Sequence, residues 1–122
     1  MRDLLITILI LIIAIIHLLP LAGILSVERL RSLYQIDIDS KNLEILMRHR
    51  AALFGILGLF FVYAAFAPAV QPIAFAAAFL SLASFFYLTF SVGDYNPAIK
   101  RVVLADVIAT VCLLAAILLY LL

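Results

Sequence analysis

Three ionisable side chains that could take part in chemistry lie within or beside long apolar stretches of this chain. His17 lies inside the first stretch, Asp106 lies inside the last, and Arg50 ends the basic run before the second. Because a charge in a bilayer is costly unless it faces other helices or a wet cavity, we expect His17 and Asp106 to point into a helix bundle. Arg50 could then reach Asp106 and form an ion pair with it. These side chains could hydrogen-bond the polar part of a ligand. As a further alternative, His17 and Asp106 could carry protons in a lipid isomerase.

The candidate ligand-binding residues are His17, Tyr34, His49, Arg50 and Asp106. Pro20 has no backbone N–H, so it should kink the first apolar helix beside His17 and make room there. The same side chains also have a structural interpretation, in which Arg50 and Asp106 form a packing pair and His17 donates to a backbone carbonyl group. In the ligand interpretation, a neutral His17 ring donates through one nitrogen and accepts through the other.

Metal, haem and covalent chemistry find little support in the sequence. His17 lies deep in its apolar stretch whereas His49 lies at the interface, so the two rings are poorly placed to ligate one haem. A zinc or iron site would need further ligands beside His17 and Asp106. No nucleophile elbow, phosphate loop or CxxC pair occurs, and Cys112 has no partner cysteine, which favours a packing role. We therefore predict no metal site and no catalytic residues, and the sequence indicates no particular cofactor.

Four apolar stretches are long enough to position these residues in a membrane. Hydrophobic residues make up 69% of the 122 residues and charged residues only 12%, which is too much apolar surface for a soluble domain of this size. A hydrocarbon core about 30 Å thick needs about 20 helical residues. The sequence therefore predicts an all-α, polytopic membrane protein with a single four-helix domain, whose spans cover about 4–25, 43–67, 73–92 and 97–122.

The basic residues predict the orientation of these spans. Seven of the eight Lys and Arg residues lie in the segments 29–50 and 100–101, and only Arg2 lies outside them. The positive-inside rule then places the charged connectors in the cytoplasm and both termini on the periplasmic or extracellular side. Because Asp3 follows Arg2 at once and the first apolar run is longer than a signal-peptide core, we expect the first span to be retained.

The connector between the first two spans contains a short amphipathic segment. Val27, Leu30 and Tyr34 would share one helical face, with charged residues on the other. We expect a short interfacial helix in the headgroup region, where its basic residues attract anionic lipid. We predict no nucleic-acid partner. Asp39 or Ser40 should cap the second span, and Asn96-Pro97 should begin the fourth.

Stripes of small residues predict where the helices approach each other. Membrane helices associate through close backbone contact at such residues, so the stripes should face inward. They consist of Ala51, Gly55 and Gly58 in the second span, Ala74, Ala78 and Ser81 in the third, and Ala105, Ala109, Cys112 and Ala116 in the fourth.

Several short stretches give the chain a family resemblance. It is similar to small bacterial DoxX-like four-helix membrane proteins in the His-Leu-Leu-Pro stretch 17–20, in Leu-Tyr-Gln-Ile at 33–36, in the segment 37–42, and in Arg-His-Arg-Ala at 48–51 leading to Gly55. An acidic residue in the last span adds to the likeness. The subgroup that it most resembles is sometimes labelled phosphopantetheine adenylyltransferase, an activity that would require a nucleotide-binding α/β domain for which this chain has no strands. The resemblance implies a four-helix bundle in a bacterial inner membrane and carries over no catalytic residues.

Two functional hypotheses are compatible with these observations. In the first, the bundle binds an amphipathic small molecule, such as a quinone, a sterol-like lipid or an anionic lipid, in a cytoplasmic-half pocket lined by His17, Arg50 and Asp106. In the second, the chain is a non-catalytic accessory or assembly subunit of a larger membrane complex, and the same residues fix helix packing. The expected partners are membrane lipid and either a second copy of the chain or a larger complex.

Overall fold

The computed structural model describes residues 1–122 as an all-α bundle without strands. Its helices are α1 (Arg2–Leu18), α2 (Val27–Tyr34), α3 (Lys41–Ala65), α4 (Gln71–Val92) and α5 (Pro97–Leu121), with 3-10 segments at Leu19–Ile24 and Pro68–Val70. Four segments are long and apolar enough to cross a membrane, namely Arg2–Ile24, Lys41–Ala65, Pro68–Val92 and Pro97–Leu121. The predicted fold class, with four spans and a short helix between the first two, is therefore confirmed.

Side-chain caps set the start of three helices. The Ser26 hydroxyl accepts the backbone N–H of Arg29 at 3.2 Å at the start of α2, and the Ser40 hydroxyl accepts that of Leu43 at 3.1 Å at the start of α3. At the start of α5, the side-chain oxygen of Asn96 accepts from the N–H of Ile99 at 2.8 Å. Each cap satisfies a backbone donor that the helix itself leaves without a partner. The capping roles predicted for Ser40 and Asn96 are confirmed.

The first span changes its helical form at Pro20. The α-helix ends at Leu18, and the chain continues as a 3-10 helix from Leu19 to Ile24. Pro20 cannot donate the i→i−4 hydrogen bond that an α-helix requires, so the tighter helix begins beside it. The structure therefore shows a change of helix type beside His17, at the place where the sequence predicted a kink.

Two glycines of α3 allow the first span, at Leu18 and Leu21, to pack closely against α3. A Cβ atom added to Gly58 would lie 2.6 Å from Cγ of Leu18, and one added to Gly55 would lie 2.5 Å from Cδ1 of Leu21. Both glycines are buried, together with Ala51 one turn away. The small-residue stripe predicted for the second span therefore forms the contact surface for the first span.

The helix α4 belongs to the core only in its first half. Its buried residues are Gln71, Ala74, Phe75, Ala78 and Leu82, and no residue after Leu82 is buried. The main core of the bundle consists of α1, α3 and α5, and the first half of α4 packs against them. The second half of α4 therefore lies at the periphery of the bundle.

The short helix α2 packs onto the bundle at the end that also carries the turn 93–96, which we call the charged end. Leu30 and Tyr34 of α2 are buried, as is Ile38 beyond it. The Asn96 amide nitrogen donates to the carbonyl oxygens of Tyr34 at 2.7 Å and Gln35 at 3.0 Å. These two hydrogen bonds tie the end of α2 to the start of α5, and they hold the backbone of Tyr34 in place.

Candidate functional site

A cavity of about 260 Å³ lies inside the charged end of the bundle. Its polar lining residues are His17, Ser32, Tyr34, Arg50, Arg101 and Asp106. Its apolar walls include Ile16, Leu19, Leu33, Phe54, Phe85 and Val102. Because these residues come from all four membrane-spanning segments and from α2, the cavity is a property of the whole bundle. We call it the charged-end cavity.

Four of the five predicted site residues line this cavity, and His49 does not. His17, Tyr34, Arg50 and Asp106 are brought together, whereas His49 is exposed and lies outside the cavity lining. Consecutive residues of an α-helix are rotated by about 100° from each other. Because Arg50 faces inward, the preceding residue turns toward the outside. The structure therefore does not bring His49 to the cavity that the other four predicted residues line.

Arg50 is held by aromatic side chains. Its Nη1 donates to the Tyr34 hydroxyl oxygen at 2.8 Å. The guanidinium carbon lies 5.2 Å from the centre of the Tyr34 ring and 4.7 Å from the centre of the Phe54 ring. Contacts of this kind between a cation and ring faces are favourable and restrict the orientation of the guanidinium plane. The side chain is thus positioned without a carboxylate.

The ion pair expected between Arg50 and Asp106 is not formed. The ion pairs of the structure join Arg2 to Asp3, Arg31 to Glu28, and both Lys41 and Arg48 to Glu44. Arg50 is engaged by Tyr34 and Phe54 at the boundary of the bundle, and the carboxylate of Asp106 has no hydrogen-bond or ion-pair partner in the protein. Both charges nevertheless line the same cavity.

Arg101 lines the cavity but is not among the site residues predicted from the sequence. It makes neither an ion pair nor a side-chain hydrogen bond with the protein, and it is exposed at one side while lining the cavity at the other. A signal was present in its spacing. The cavity residues of α5 fall at i, i+3, i+4, i+7 and i+8, which is one helical face, and they are Ala98, Arg101, Val102, Ala105 and Asp106.

His17 has both ring nitrogens satisfied within the bundle. Its Nδ1 lies 2.9 Å from the carbonyl oxygen of Ile13, and its Nε2 lies 2.9 Å from the hydroxyl oxygen of Ser81. Because a carbonyl oxygen can only accept, Nδ1 carries the hydrogen, and a neutral ring then accepts the Ser81 hydroxyl proton at Nε2. The ring also meets Phe61 edge-on with 4.9 Å between ring centres. His17 therefore lines the cavity while it connects α1 to α4, and no ring nitrogen is left for a ligand.

The charges of the cavity favour a negatively charged polar group. Two guanidinium groups, Arg50 and Arg101, face one carboxylate, Asp106. The hydroxyl of Tyr34 accepts from Arg50, so its own proton can be donated into the cavity. No group of three or more His, Cys, Asp or Glu side chains is close enough together to hold a metal ion. The chemical capacity of the site is the recognition of a polar group by hydrogen bonds and charge.

No protein-family model, no curated protein and no solved structure matches the chain. The functional proposal therefore depends on the residues of the charged-end cavity.

Proposed function

We propose that the chain is a small integral membrane protein that binds an amphipathic small molecule or lipid in the charged-end cavity. The main support is the coexistence of apolar walls with charged groups that form no ion pair within the protein, namely Arg50, Arg101 and Asp106. Charged side chains at bundle positions are costly unless something compensates them. A ligand with an apolar body and a polar head supplies that compensation and fills the space between the helices.

A purely structural use of these charges is less well supported. Charges that hold a bundle together form ion pairs between helices, whereas Arg50, Arg101 and Asp106 form none. Other basic side chains of the charged end have clear structural partners. For example, Arg48 donates to the carbonyl oxygen of Ile24 at 2.9 Å and to the carboxylate of Glu44 at 3.1 Å. The contrast favours ligand binding over a role confined to packing in a larger complex.

The proposed location is a bacterial inner membrane with the charged end in the cytoplasm. Seven of the eight Lys and Arg residues belong to the segments at that end, which supports this orientation through the positive-inside rule. Both termini would then lie on the periplasmic or extracellular side. The resemblance to DoxX-like proteins agrees with this location.

The test is to identify what the protein carries when it is taken from its membrane. Wild-type protein is extracted in polymer nanodiscs and its bound molecules are identified by native mass spectrometry, beside the variants Arg50→Gln and Arg29→Gln. Arg29 is exposed on α2, and its side chain forms no hydrogen bond or ion pair, so it is a matched control for removal of one guanidinium. We expect a defined molecule on wild type and on Arg29→Gln and its loss from Arg50→Gln. A larger assembly without any retained small molecule would contradict the proposal and favour an accessory subunit.

A further inference from the structure

We propose that the ligand is a phospholipid with an anionic, hydroxyl-bearing headgroup, whose phosphate lies between Arg50 and Arg101 while Asp106 accepts a headgroup hydroxyl. This inference rests on the proposed binding function and adds the chemical class of the ligand. It follows from three features of the cavity, namely the fixed guanidinium of Arg50, the arrangement of charges on α5, and the exposed second half of α4.

The first feature is the fixed guanidinium group of Arg50, whose free N–H groups can donate to an oxyanion. The Tyr34 hydroxyl and the rings of Tyr34 and Phe54 hold the guanidinium in place but use only one of its two terminal nitrogens as a donor. The remaining N–H groups are free to donate. A planar guanidinium with free N–H groups matches the geometry of phosphate oxygens and can donate to two of them at once.

The second feature is the order of charges along α5. Arg101 lies in the second turn of the helix, and Asp106 lies five residues further along the same helix, which corresponds to about 7.5 Å along its axis. A phosphate beside Arg101 therefore has a carboxylate deeper in the cavity and not beside it. Two cations against one anion favour a ligand with a net negative charge. The Asp106 carboxylate has no donor within the protein and can accept a hydroxyl of the headgroup.

The third feature is a lateral route for the apolar part of the lipid. Phe85 is the cavity wall contributed by α4, and beyond Leu82 no residue of that helix is buried. Phe90 and Val92 are largely exposed, at 92% and 77%. The side of the cavity next to Phe85 is therefore bounded by a helix half that contains no buried residue. Acyl chains can lie along this half while the phosphate stays at the arginines, so the lipid does not have to leave the bilayer.

The experiment compares lipids that differ in one group. Wild-type protein stripped of lipid in detergent is titrated with phosphatidylglycerol, phosphatidylmethanol or phosphatidylcholine of the same acyl chains, and binding is measured by native mass spectrometry. Phosphatidylmethanol keeps the net negative charge of phosphatidylglycerol but has no hydroxyl. Glycerol 1-phosphate is the soluble arm, since it carries the phosphate and the hydroxyls without acyl chains. The variants are Arg101→Gln, Asp106→Ala and the control Arg29→Gln.

We expect phosphatidylglycerol to bind wild type most tightly, followed by phosphatidylmethanol and then phosphatidylcholine. Arg101→Gln should weaken both anionic lipids about tenfold or more, which is the effect of losing one hydrogen bond between charged groups. Since Arg101 is exposed and makes no ion pair or side-chain hydrogen bond within the protein, this variant should fold normally, and its thermal melting curve checks that. Asp106→Ala should remove the preference for phosphatidylglycerol over phosphatidylmethanol, and Arg29→Gln should change nothing.

Three results would overturn the inference. The first is equal binding of phosphatidylcholine and phosphatidylglycerol, and the second is an unchanged affinity in Arg101→Gln. The third is binding of glycerol 1-phosphate as tight as that of the lipid, since the apolar walls would then contribute nothing. If the protein from its native membrane retains a neutral molecule instead, the binding function stands and only the ligand class is wrong. If it retains nothing and binds none of these probes, both proposals fail.

Discussion

Replacement of Gly58 by Ala should force α3 away from the first span. The added Cβ would lie 2.6 Å from Cγ, 2.7 Å from Cδ2 and 3.2 Å from the backbone N of Leu18. Carbon atoms attract each other best at about 3.5 to 4.0 Å, so the contact must open by about 1 Å. Rotation about the Cα–Cβ bond of Leu18 can move Cγ and Cδ2, but it leaves the backbone N of Leu18 only 3.2 Å from the added Cβ. The helix itself has to move.

The expected cost of Gly58→Ala follows from two opposing effects. Overpacking of a well-packed contact costs about 1 to 3 kcal/mol. The replacement of a helical glycine by alanine returns about 1 kcal/mol. We therefore expect a net loss of about 1 to 2 kcal/mol of unfolding free energy, because the contact involves a backbone atom. Titration of the purified protein from mild detergent into denaturing detergent measures this quantity.

Gly55→Ala is the matched control for this prediction. There the added Cβ meets Cδ1 of Leu21 at 2.5 Å, and the next atoms of that side chain lie at 3.3 Å. A terminal methyl group can rotate away, so the cost should nearly cancel against the gain in helix propensity, leaving a net change of about 0 kcal/mol. In a Leu18→Ala background, Gly58→Ala should become neutral or stabilising by about 1 kcal/mol. If Gly58→Ala is as stable as wild type, or costs the same with and without Leu18, the proposed contact is not what limits the approach of the helices.

Three further predictions address the charged end, the bundle centre and the orientation. Asn96→Ala loses the α5 cap and the two hydrogen bonds to the end of α2, so it should lower the unfolding free energy by about 2 kcal/mol in the same titration. Asn96→Asp keeps the capping oxygen and should lower it by about 1 kcal/mol. Equal costs would contradict the role of the amide donors. His17→Leu should lower the unfolding free energy by about 1 to 3 kcal/mol, because Ser81 and the carbonyl of Ile13 lose their partner. The proposed lipid ligand, detected by mass spectrometry, should stay bound. Loss of the lipid from a protein of normal stability would show that His17 contacts the ligand. Under the proposed orientation, Ser40→Cys should not react with an impermeant thiol reagent in intact cells but should react in inverted vesicles, and labelling in intact cells would reverse the orientation.

The sequence was sufficient for the spans because one physical effect determines them. Long apolar runs interrupted by proline, glycine and capping residues can form little else in a bilayer, and Ser40 and Asn96 cap the helices as predicted. The inward direction of His17 and Asp106 also followed, since a polar group in mid-span has no other acceptable direction. For His17 and Asp106 the apolar bilayer therefore determines the direction of the side chain.

At the charged end the membrane does not determine which way a side chain points, so residue directions and partners were predicted less well there. A basic residue near the interface can face headgroups, water or the bundle at similar cost. The helix register turned His49 outward and Arg101 inward, and the rings of Tyr34 and Phe54 determined the partner of Arg50. The partner of Arg50 depends on the docking of α2 against α3, a tertiary contact that brings Tyr34 to Arg50. Pairing rules based on residue type do not contain that information.

The origin of the cavity walls in all four membrane-spanning segments has a consequence for biosynthesis. Segments of a growing chain enter the bilayer in their order of synthesis, so Arg50 reaches the membrane well before Arg101 and Asp106. Until the fourth segment is inserted, the cavity lacks its α5 wall and two of its three charges. A lipid that requires all of them binds only the fully inserted chain and stabilises that state over every partial one by mass action. Lipid occupancy would therefore mark completed assembly, and cells depleted of that lipid should degrade newly made chains faster than chains already assembled.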